Sequence, residues 1–485
     1  MFGTYQYPDF PMESGKFGAQ PGQHIPARAV HEYLKSYAEK FGLVPLIRLE
    51  TRVLSAEHQE AAEGGWILTL QCHGETLTMF ARRLIVASGF TSEPNLIRFV
   101  GDESFGGRIF HGRDFHHNAD TVKCAQRPTV YGSTKYAWDA VYAYAAAGAE
   151  VHWVIRVGRF VTNLFWKILA SDVLGRCRLD SHPETRKLKP KLNAMFVGAS
   201  FSILNYDTDF FDLVRKKRVK IHIADIERLS PGKVHLSDNT CFESDSILVH
   251  TGWKRVPPIK FLPEGVDAEL GLPYQQKAGL DAELLRRNEA VLEKADREIL
   301  SRFPSLQDQP QCLKNYVPLS NVPGVVRAGT PTENDNLTPF MLHRFIVPPS
   351  PRFLRHRDIA FCGMVTNFST PISAHVQSLW IASYMSDSLS RDATRNLLQP
   401  GALDELQYQT VLVNRFGKWR YPVDWGNKAP SFIFDAVPYY DVLLRDLGLA
   451  FRRKRGLLSE LFEPYGPEDY SNTTIEWLAK LKTLE

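Results

Sequence analysis

An α/β fold built around a dinucleotide-binding unit is what this sequence predicts, and three observations carry the prediction. Residues 128–156 read as strand, turn, helix and strand over about 30 residues, the length of a βαβ unit. Apolar runs at Leu84–Ala87 and Ile247–Val249, each followed closely by a glycine, lie on either side of that unit. The chain has 485 residues, 44% of them hydrophobic and 23% charged, a globular composition long enough for two or three cores.

Taken in order, Ala27 to Phe41 predicts a helix. Val30, Leu34, Tyr37, Ala38 and Phe41 recur at helical spacing, and Gly42 stops it. Gly65–Gln71 and Thr76–Phe80 read as a hairpin turning at His73, Gly74 and Glu75. Arg83–Ala87 is an apolar run that suits a buried strand and is closed by Ser88 and Gly89. In the central unit, Thr129–Tyr131 is a strand and Gly132–Lys135 a turn. Tyr136–Ala147 is a helix capped by Gly148, and Glu150–Arg156 a second strand. A helix at Phe210–Lys217 and strands at Val219–Ala224, Lys233–Leu236 and Ser246–Thr251 follow. Asp281–Phe303 is a charged, solvated helix, Asp358–Cys362 a strand and Ser373–Leu389 a helix. From Ala402 the chain reads as helix and loop.

Composition narrows the function classes. Lys+Arg 58 nearly balances Asp+Glu 54, so the net charge of +4 gives no basic surface suited to nucleic acid. The six cysteines, at positions 72, 124, 177, 241, 312 and 362, form no CxxC pair and read as reduced thiols of a cytoplasmic protein. Residues 1–23 are polar and rich in proline and glycine, unlike a signal peptide. No apolar run reaches the roughly 18 residues of a transmembrane helix. His111, His116 and His117 lie close in sequence, but with only Asp114 and Asp120 nearby they give no metal-site pattern, and no metal is expected. No GxSxG occurs, so a serine hydrolase is not indicated.

The first candidate site is the turn from Gly132 to Asp139. A tight turn between strand and helix lets backbone N–H groups meet a pyrophosphate at a helix N-terminus. Gly132, Thr134 and Ala137 occupy the three positions of GxGxxG. Ser133, Lys135, Tyr136 and Asp139 complete the candidate cofactor-binding set. Thr134 departs from glycine and holds the backbone further from a ligand. Arg156 ends the second strand, where an acid would accept from the ribose of NAD and an arginine suits the extra phosphate of NADPH. The same residues would also suit a plain βα turn with a surface arginine.

The second candidate is Phe105, Gly107, His111 and Phe115, an FxGxxxHxxxF pattern just before the central unit. It resembles the fingerprint of flavin-containing and Baeyer–Villiger monooxygenases, the class B flavoprotein monooxygenases. Five further segments are similar to that family. Ser88-Gly89-Phe90 and Thr251-Gly252-Trp253 resemble its (A/T)TG(Y/F/W) crossings between domains. Tyr7–Pro11 and His343–Pro349 resemble two other conserved segments. Phe361-Cys362-Gly363, with Pro371 and Gln377, resembles the return to the flavin domain.

The resemblance implies a two-dinucleotide-binding-domain flavoprotein that uses FAD and NADPH. Residues 1–127 would form the remainder of the FAD domain and a linker, and 128–252 the NADPH domain. A substrate-side insertion would span 253–357, the return to the FAD domain 358–400, and a helical tail 401–485. Ser88, Gly89, Thr251, Gly252 and Gln377 would then join the cofactor-binding residues, and His111 would be a linker residue. The family's FAD-binding GxGxxG precedes the segment matched by Tyr7–Pro11. Here Met1 stands just before it, so the first βαβ unit of the FAD domain is expected to be missing. The implied chemistry is NADPH reduction of FAD, then transfer of one oxygen of O2 to a small organic substrate through a flavin C4a-hydroperoxide. The transfer is N- or S-oxygenation or Baeyer–Villiger insertion. The cofactor carries that chemistry, so no side chain is singled out as catalytic. Two other readings stay open: a truncated, non-catalytic relative, and a flavin-free NADPH-dependent reductase using Tyr136 and Lys135. A homodimer is left open.

Overall fold

The computed structural model describes residues 5–20, 24–60, 63–156, 179–188, 196, 206–254, 256–275, 282–309, 321–327, 337–367, 369–395, 397–422 and 430–483. Cys177, Cys312 and Asp281 lie outside the described residues. Near the N-terminus, Tyr7–Phe10 is a turn tied to helix α1 (Ala27–Lys40). The Tyr7 N–H donates to the Tyr33 hydroxyl (2.7 Å), which donates to the Phe10 carbonyl (2.6 Å). The expected helix is therefore present, but Ala29 and Tyr33 are its buried residues, and Leu34 and Phe41 are exposed.

Strands β1 (Thr51–His58), β2 (Trp66–Cys72) and β3 (Glu75–Ala81) form an antiparallel meander. The β2–β3 hairpin turns on His73 (φ 49°) and Gly74 (φ 87°), the positive-φ pair of a tight two-residue turn. Then come the short β4 (Leu84–Val86), β5 (Ile97–Phe99) and β6 (Arg108–His111). The central unit is β7 (Pro128–Tyr131), helix α2 (Lys135–Ala146) and β8 (Val151–Ile155). Helix α3 (Phe210–Arg215) leads into β9 (Val219–Ile223). A small antiparallel sheet of β10 (Ile226–Ser230), β11 (Lys233–Leu236) and β12 (Cys241–Glu243) precedes β13 (Ser246–Val249). Later elements are β14 (Lys260–Leu262), α4 (Ala282–Arg302), β15 (Val325–Arg327) and β16 (Ile359–Phe361). Helices α5 (Thr370–Met385), α6 (Ala402–Arg420), α7 (Ala436–Leu447) and α8 (Thr473–Leu481) end the described chain.

Two parallel arrangements matter for function. A five-stranded sheet runs β6-β13-β7-β8-β9, all parallel. Every residue of β7 and β13 is buried, as are four of the five in β8. Both faces are thus covered, which is why these strands read as apolar runs and not as alternating ones. The second arrangement pairs β4 with β16 in parallel, Leu84 opposite Ile359 and Val86 opposite Phe361. The chain therefore leaves the region of β4, builds the five-stranded sheet, and comes back beside β4 at β16. β14 also returns, pairing in parallel with β1.

The tail is not an appendage. Tyr439, Tyr440, Leu443, Leu444 and Leu447 of α7, with Leu406 and Tyr470, share one core with Val376, Leu379, Trp380 and Tyr384 of α5. Asp446 is buried there, accepting from Arg344 Nε (2.8 Å) and Trp380 Nε1 (3.1 Å).

Candidate functional site

The turn after β7 is open to solvent. Gly132 has φ 140°, and a Cβ there would stand 2.7 Å from the His250 carbonyl, so only glycine fits without displacing β13. Its N–H donates to Val154 (3.1 Å), and its carbonyl accepts from Trp153 Nε1 (2.8 Å), fixing the turn against β8. Thr134 is the N-cap of α2 but makes no side-chain capping bond. Ser133, Thr134 and Tyr136 are exposed. An uncapped N-terminus of a twelve-residue helix at the C-terminal end of a parallel strand presents free N–H donors and a positive dipole end to an anion. Ala137 is buried against the sheet.

Not every residue expected at this turn faces it freely. Lys135 is ion-paired with Asp139, whose carboxylate also accepts from the Tyr206 hydroxyl (2.9 Å). The Lys135 ammonium lies 5.0 Å from the Tyr206 ring centre. Tyr136 turns the other way and stacks on His250, with ring centres 4.9 Å apart. Lys135 and Tyr136 thus point to different partners, unlike the joint proton donor a flavin-free reductase needs.

Arg156 sits at the end of β8, where its Nε donates to Asp225 (2.7 Å). The Tyr131 hydroxyl also donates to Asp225 (3.3 Å), and burial, then the Asp225 charge, raises the Tyr131 phenol above its ordinary range. Sequence reading found no acid beside Arg156. The acid arrives from the end of β9, 69 residues later in the chain. β8 and β9 are adjacent parallel strands, so the residues that follow each come together at one sheet edge, a pairing that only the strand order reveals.

The two crossings meet at the base of this turn. Gly89 (φ 60°) follows β4 and Gly252 (φ 84°) follows β13, and both need the left-handed backbone to redirect the chain. The crossings clasp each other. Thr251 Oγ1 donates to the Asn95 carbonyl (2.6 Å), the Asn95 N–H to Gly252 (2.9 Å), and the Lys254 N–H to Glu93 (2.8 Å). His111 is buried beneath them. Its Nδ1 accepts from the Arg113 N–H (3.2 Å), and its ring stacks on His250 at 5.3 Å and meets Trp253 edge-on at 5.7 Å. Burial pushes His111 below the usual imidazole range, and burial with the neighbouring His111 pushes His250 down to about 4. Phe105 and Phe115 are packing residues: Phe105 is in the core under β13, and Phe115 contacts Phe110 and Tyr144. A Cβ on Gly107 would meet the Asp245 carbonyl at 2.3 Å, which explains the small residue. His250, absent from the sequence-derived set, links Tyr136, Gly132 and His111. No group of three His, Cys, Asp or Glu among the described residues is arranged to hold a metal.

The third part of the site lies at the ends of β4 and β16. Because these strands are parallel neighbours, Ser88 and Gly363 leave the same sheet edge, the crevice position where open α/β sheets bind ligands. The Ser88 hydroxyl is buried and has no hydrogen-bond partner among the described residues. A Cβ on Gly363 would meet nothing within 4 Å. Gln377 was expected to contact cofactor. It is instead wholly buried, with its amide committed to protein: the Gly363 N–H donates to Oε1 (2.9 Å), and Nε2 donates to the Tyr439 hydroxyl (2.7 Å). Tyr439 in turn donates to the Arg344 carbonyl (2.9 Å). Gln377 therefore shapes the Gly363 turn from behind. Tyr7 completes this edge, lying near Cys362; burial and the Tyr5 and Cys362 groups raise its phenol.

With this geometry in hand, comparison with known proteins is direct. Residues 4–180 match the family described as flavin-binding monooxygenase-like. A FAD-dependent monooxygenase of Pyrenophora dematioidea is 29% identical over 528 residues, covering 95% of this chain and 90% of that protein. FAD-dependent monooxygenase resA of Aspergillus sclerotiorum is 29% identical over 544 residues, covering 99% and 88%. Among solved structures, S-allyl-L-cysteine S-oxygenase from Allium sativum superposes with a TM-score of 0.50 at 14% identity, over 93% of this chain and 72% of that one. The first third of the chain thus matches the flavin-binding monooxygenase-like family, and the fold is that of the two-dinucleotide-binding-domain flavoproteins.

Proposed function

We propose that this chain is a FAD- and NADPH-dependent monooxygenase acting on a small organic substrate, by N- or S-oxygenation or Baeyer–Villiger insertion. The observation that carries the reading is the convergence of two nucleotide-type crevices, at Gly132 and at Ser88/Gly363, joined by the paired crossings at Asn95 and Thr251. Relatives over nearly the whole chain are named FAD-dependent monooxygenases, which supports the same conclusion.

In this reading each crevice takes one cofactor. The uncapped α2 N-terminus and Gly132 would receive the NADPH pyrophosphate. Arg156, oriented by Asp225, would meet the ribose phosphate with charge-assisted hydrogen bonds. The orphan Ser88 hydroxyl and the open face of Gly363 would line the flavin side. Bound flavin supplies the redox and oxygen chemistry. The protein would align the two cofactors through the clasped crossings, hold Gly363 in place through Gln377, and exclude water with the buried Phe90 and Phe340 pair.

The test is purification of the 485-residue chain with added FAD, followed by NADPH oxidation with thioether, tertiary amine and cyclic ketone substrates. A yellow protein whose NADPH consumption rises with one of these classes, yielding the oxygenated product, is expected. A colourless protein that ignores NADPH overturns the assignment and leaves a non-catalytic relative.

A further inference from the structure

The segment between α7 and α8 folds against the usual rule for a surface helix. Leu457–Phe462 is a short helix whose polar side faces the protein. Glu460 accepts from the Lys454 N–H (3.2 Å) and the Tyr465 hydroxyl (2.5 Å). Its apolar side faces water: Leu457, Leu458 and Phe462 are 72%, 74% and 80% exposed. Amphipathic helices of globular proteins normally do the reverse, so an outward apolar face marks a surface that something else covers.

Immediately before the helix runs Arg452-Arg453-Lys454-Arg455. Two of these hold the segment in place: Arg453 is bidentate to Glu476 of α8 (2.8 Å each) and Lys454 pairs with Asp469 (2.9 Å). Arg452 and Arg455 are exposed and lie within five residues of the first exposed leucine of the helix. The nearby acids are Asp441, half-buried with Arg445 and Arg452 close to its carboxyl, and the exposed Glu463 and Glu468.

From this arrangement we infer that the Arg452–Phe462 segment docks on the surface of an anionic lipid bilayer. Leu457, Leu458 and Phe462 enter the headgroup–acyl boundary, while Arg452 and Arg455 meet lipid phosphates and carboxylates. Apolar residues at one level with cations at the next is the pattern of an interfacial anchor. No helix among the described residues is long and apolar enough to cross a membrane, so the contact lies on the bilayer and does not span it.

The experiment is co-sedimentation of the full chain with vesicles of phosphatidylcholine alone and with phosphatidylserine added, at low and high salt. Binding to the serine-containing vesicles that weakens with salt is expected. The triple variant Leu457→Glu, Leu458→Glu, Phe462→Glu should bind at least about tenfold more weakly, and Arg452→Glu with Arg455→Glu should lose the preference for the anionic lipid. All five positions are exposed, so unchanged circular dichroism is expected of both variants, and Arg455→Glu alone serves where Arg452→Glu lowers the melting temperature through Asp441. Absence of binding to either vesicle overturns the inference, as does equal binding by the triple variant. Concentration-dependent self-association abolished by the triple variant would overturn it in favour of an interface between copies. Retention on heparin that needs the arginines but not the apolar residues, without vesicle binding, would reassign the patch to a soluble polyanion.

Discussion

At Gly132 the backbone conformation and the space above it demand the same residue, so a substitution there tests the NADPH turn proposed above. Gly132→Val places a branched side chain against the His250 carbonyl at a φ that L-residues avoid. The expected result is a rise in KM for NADPH of about tenfold or more with flavin content unchanged, since a misplaced turn costs binding geometry locally. Steady-state kinetics beside a flavin absorbance measurement checks it. Arg156 calls for a different readout. Its guanidinium is already aligned by Asp225, so Arg156→Gln should erase a preference for NADPH over NADH by about tenfold, the worth of one charge-assisted hydrogen bond. The ratio of kcat/KM for the two nucleotides measures it, and an unchanged ratio would place the ribose phosphate elsewhere.

Elements were legible in the sequence where burial imposes a simple pattern and obscure where contacts are distant. The β7–α2–β8 unit could be read because its strands are covered on both faces and its helix ends at a glycine. β1 was missed: its register on β2 shifts between Val53 and Ser55, so the residues do not alternate cleanly. In α1 the apolar spacing named the helix but misjudged its face, because Tyr33 is buried for the two hydrogen bonds of its hydroxyl as much as for its ring. Asp225, Tyr439 and His250 could not be paired with Arg156, Gln377 and His111 without knowing which strands and helices are neighbours. The same holds for the buried link between the meander and β16. Asp358 accepts from His58 Nε2 and the Gly65 N–H (2.8 Å each), and Arg352 donates to His58 Nδ1 (3.1 Å). Asp358→Ala strands these donors in a dry site, and a loss of about 3 kcal/mol is expected. Urea unfolding measures it, and a loss below about 1 kcal/mol would show that the sheets are held together chiefly by their apolar core.

Across the whole molecule, histidines are buried where parts of the fold meet, and together they set how it responds to acid. His152 stacks on Phe242 between β8 and the small antiparallel sheet, and burial with the neighbouring His222 and Lys220 pushes it down to about 4. His250 lies between Tyr136 and His111 and is also held at about 4. His343, in the core shared with the tail, is pushed by burial down to about 3. In each case the folded chain favours the neutral ring, while the unfolded chain takes up a proton near pH 6.5. Between that value and the folded one, the unfolded state binds more protons, so stability is full above about pH 6.5 and falls as the solution is acidified. At pH 5 each of the three costs about 2 kcal/mol relative to neutral pH, enough together to threaten a typical folding free energy. His250→Phe keeps a ring between Tyr136 and His111 but removes the proton site. Denaturant unfolding at pH 7 and pH 5 should show a smaller acid-induced loss in this variant, by about 2 kcal/mol. An identical loss in variant and parent would mean that His250 does not stay neutral in the folded chain and that acid acts elsewhere.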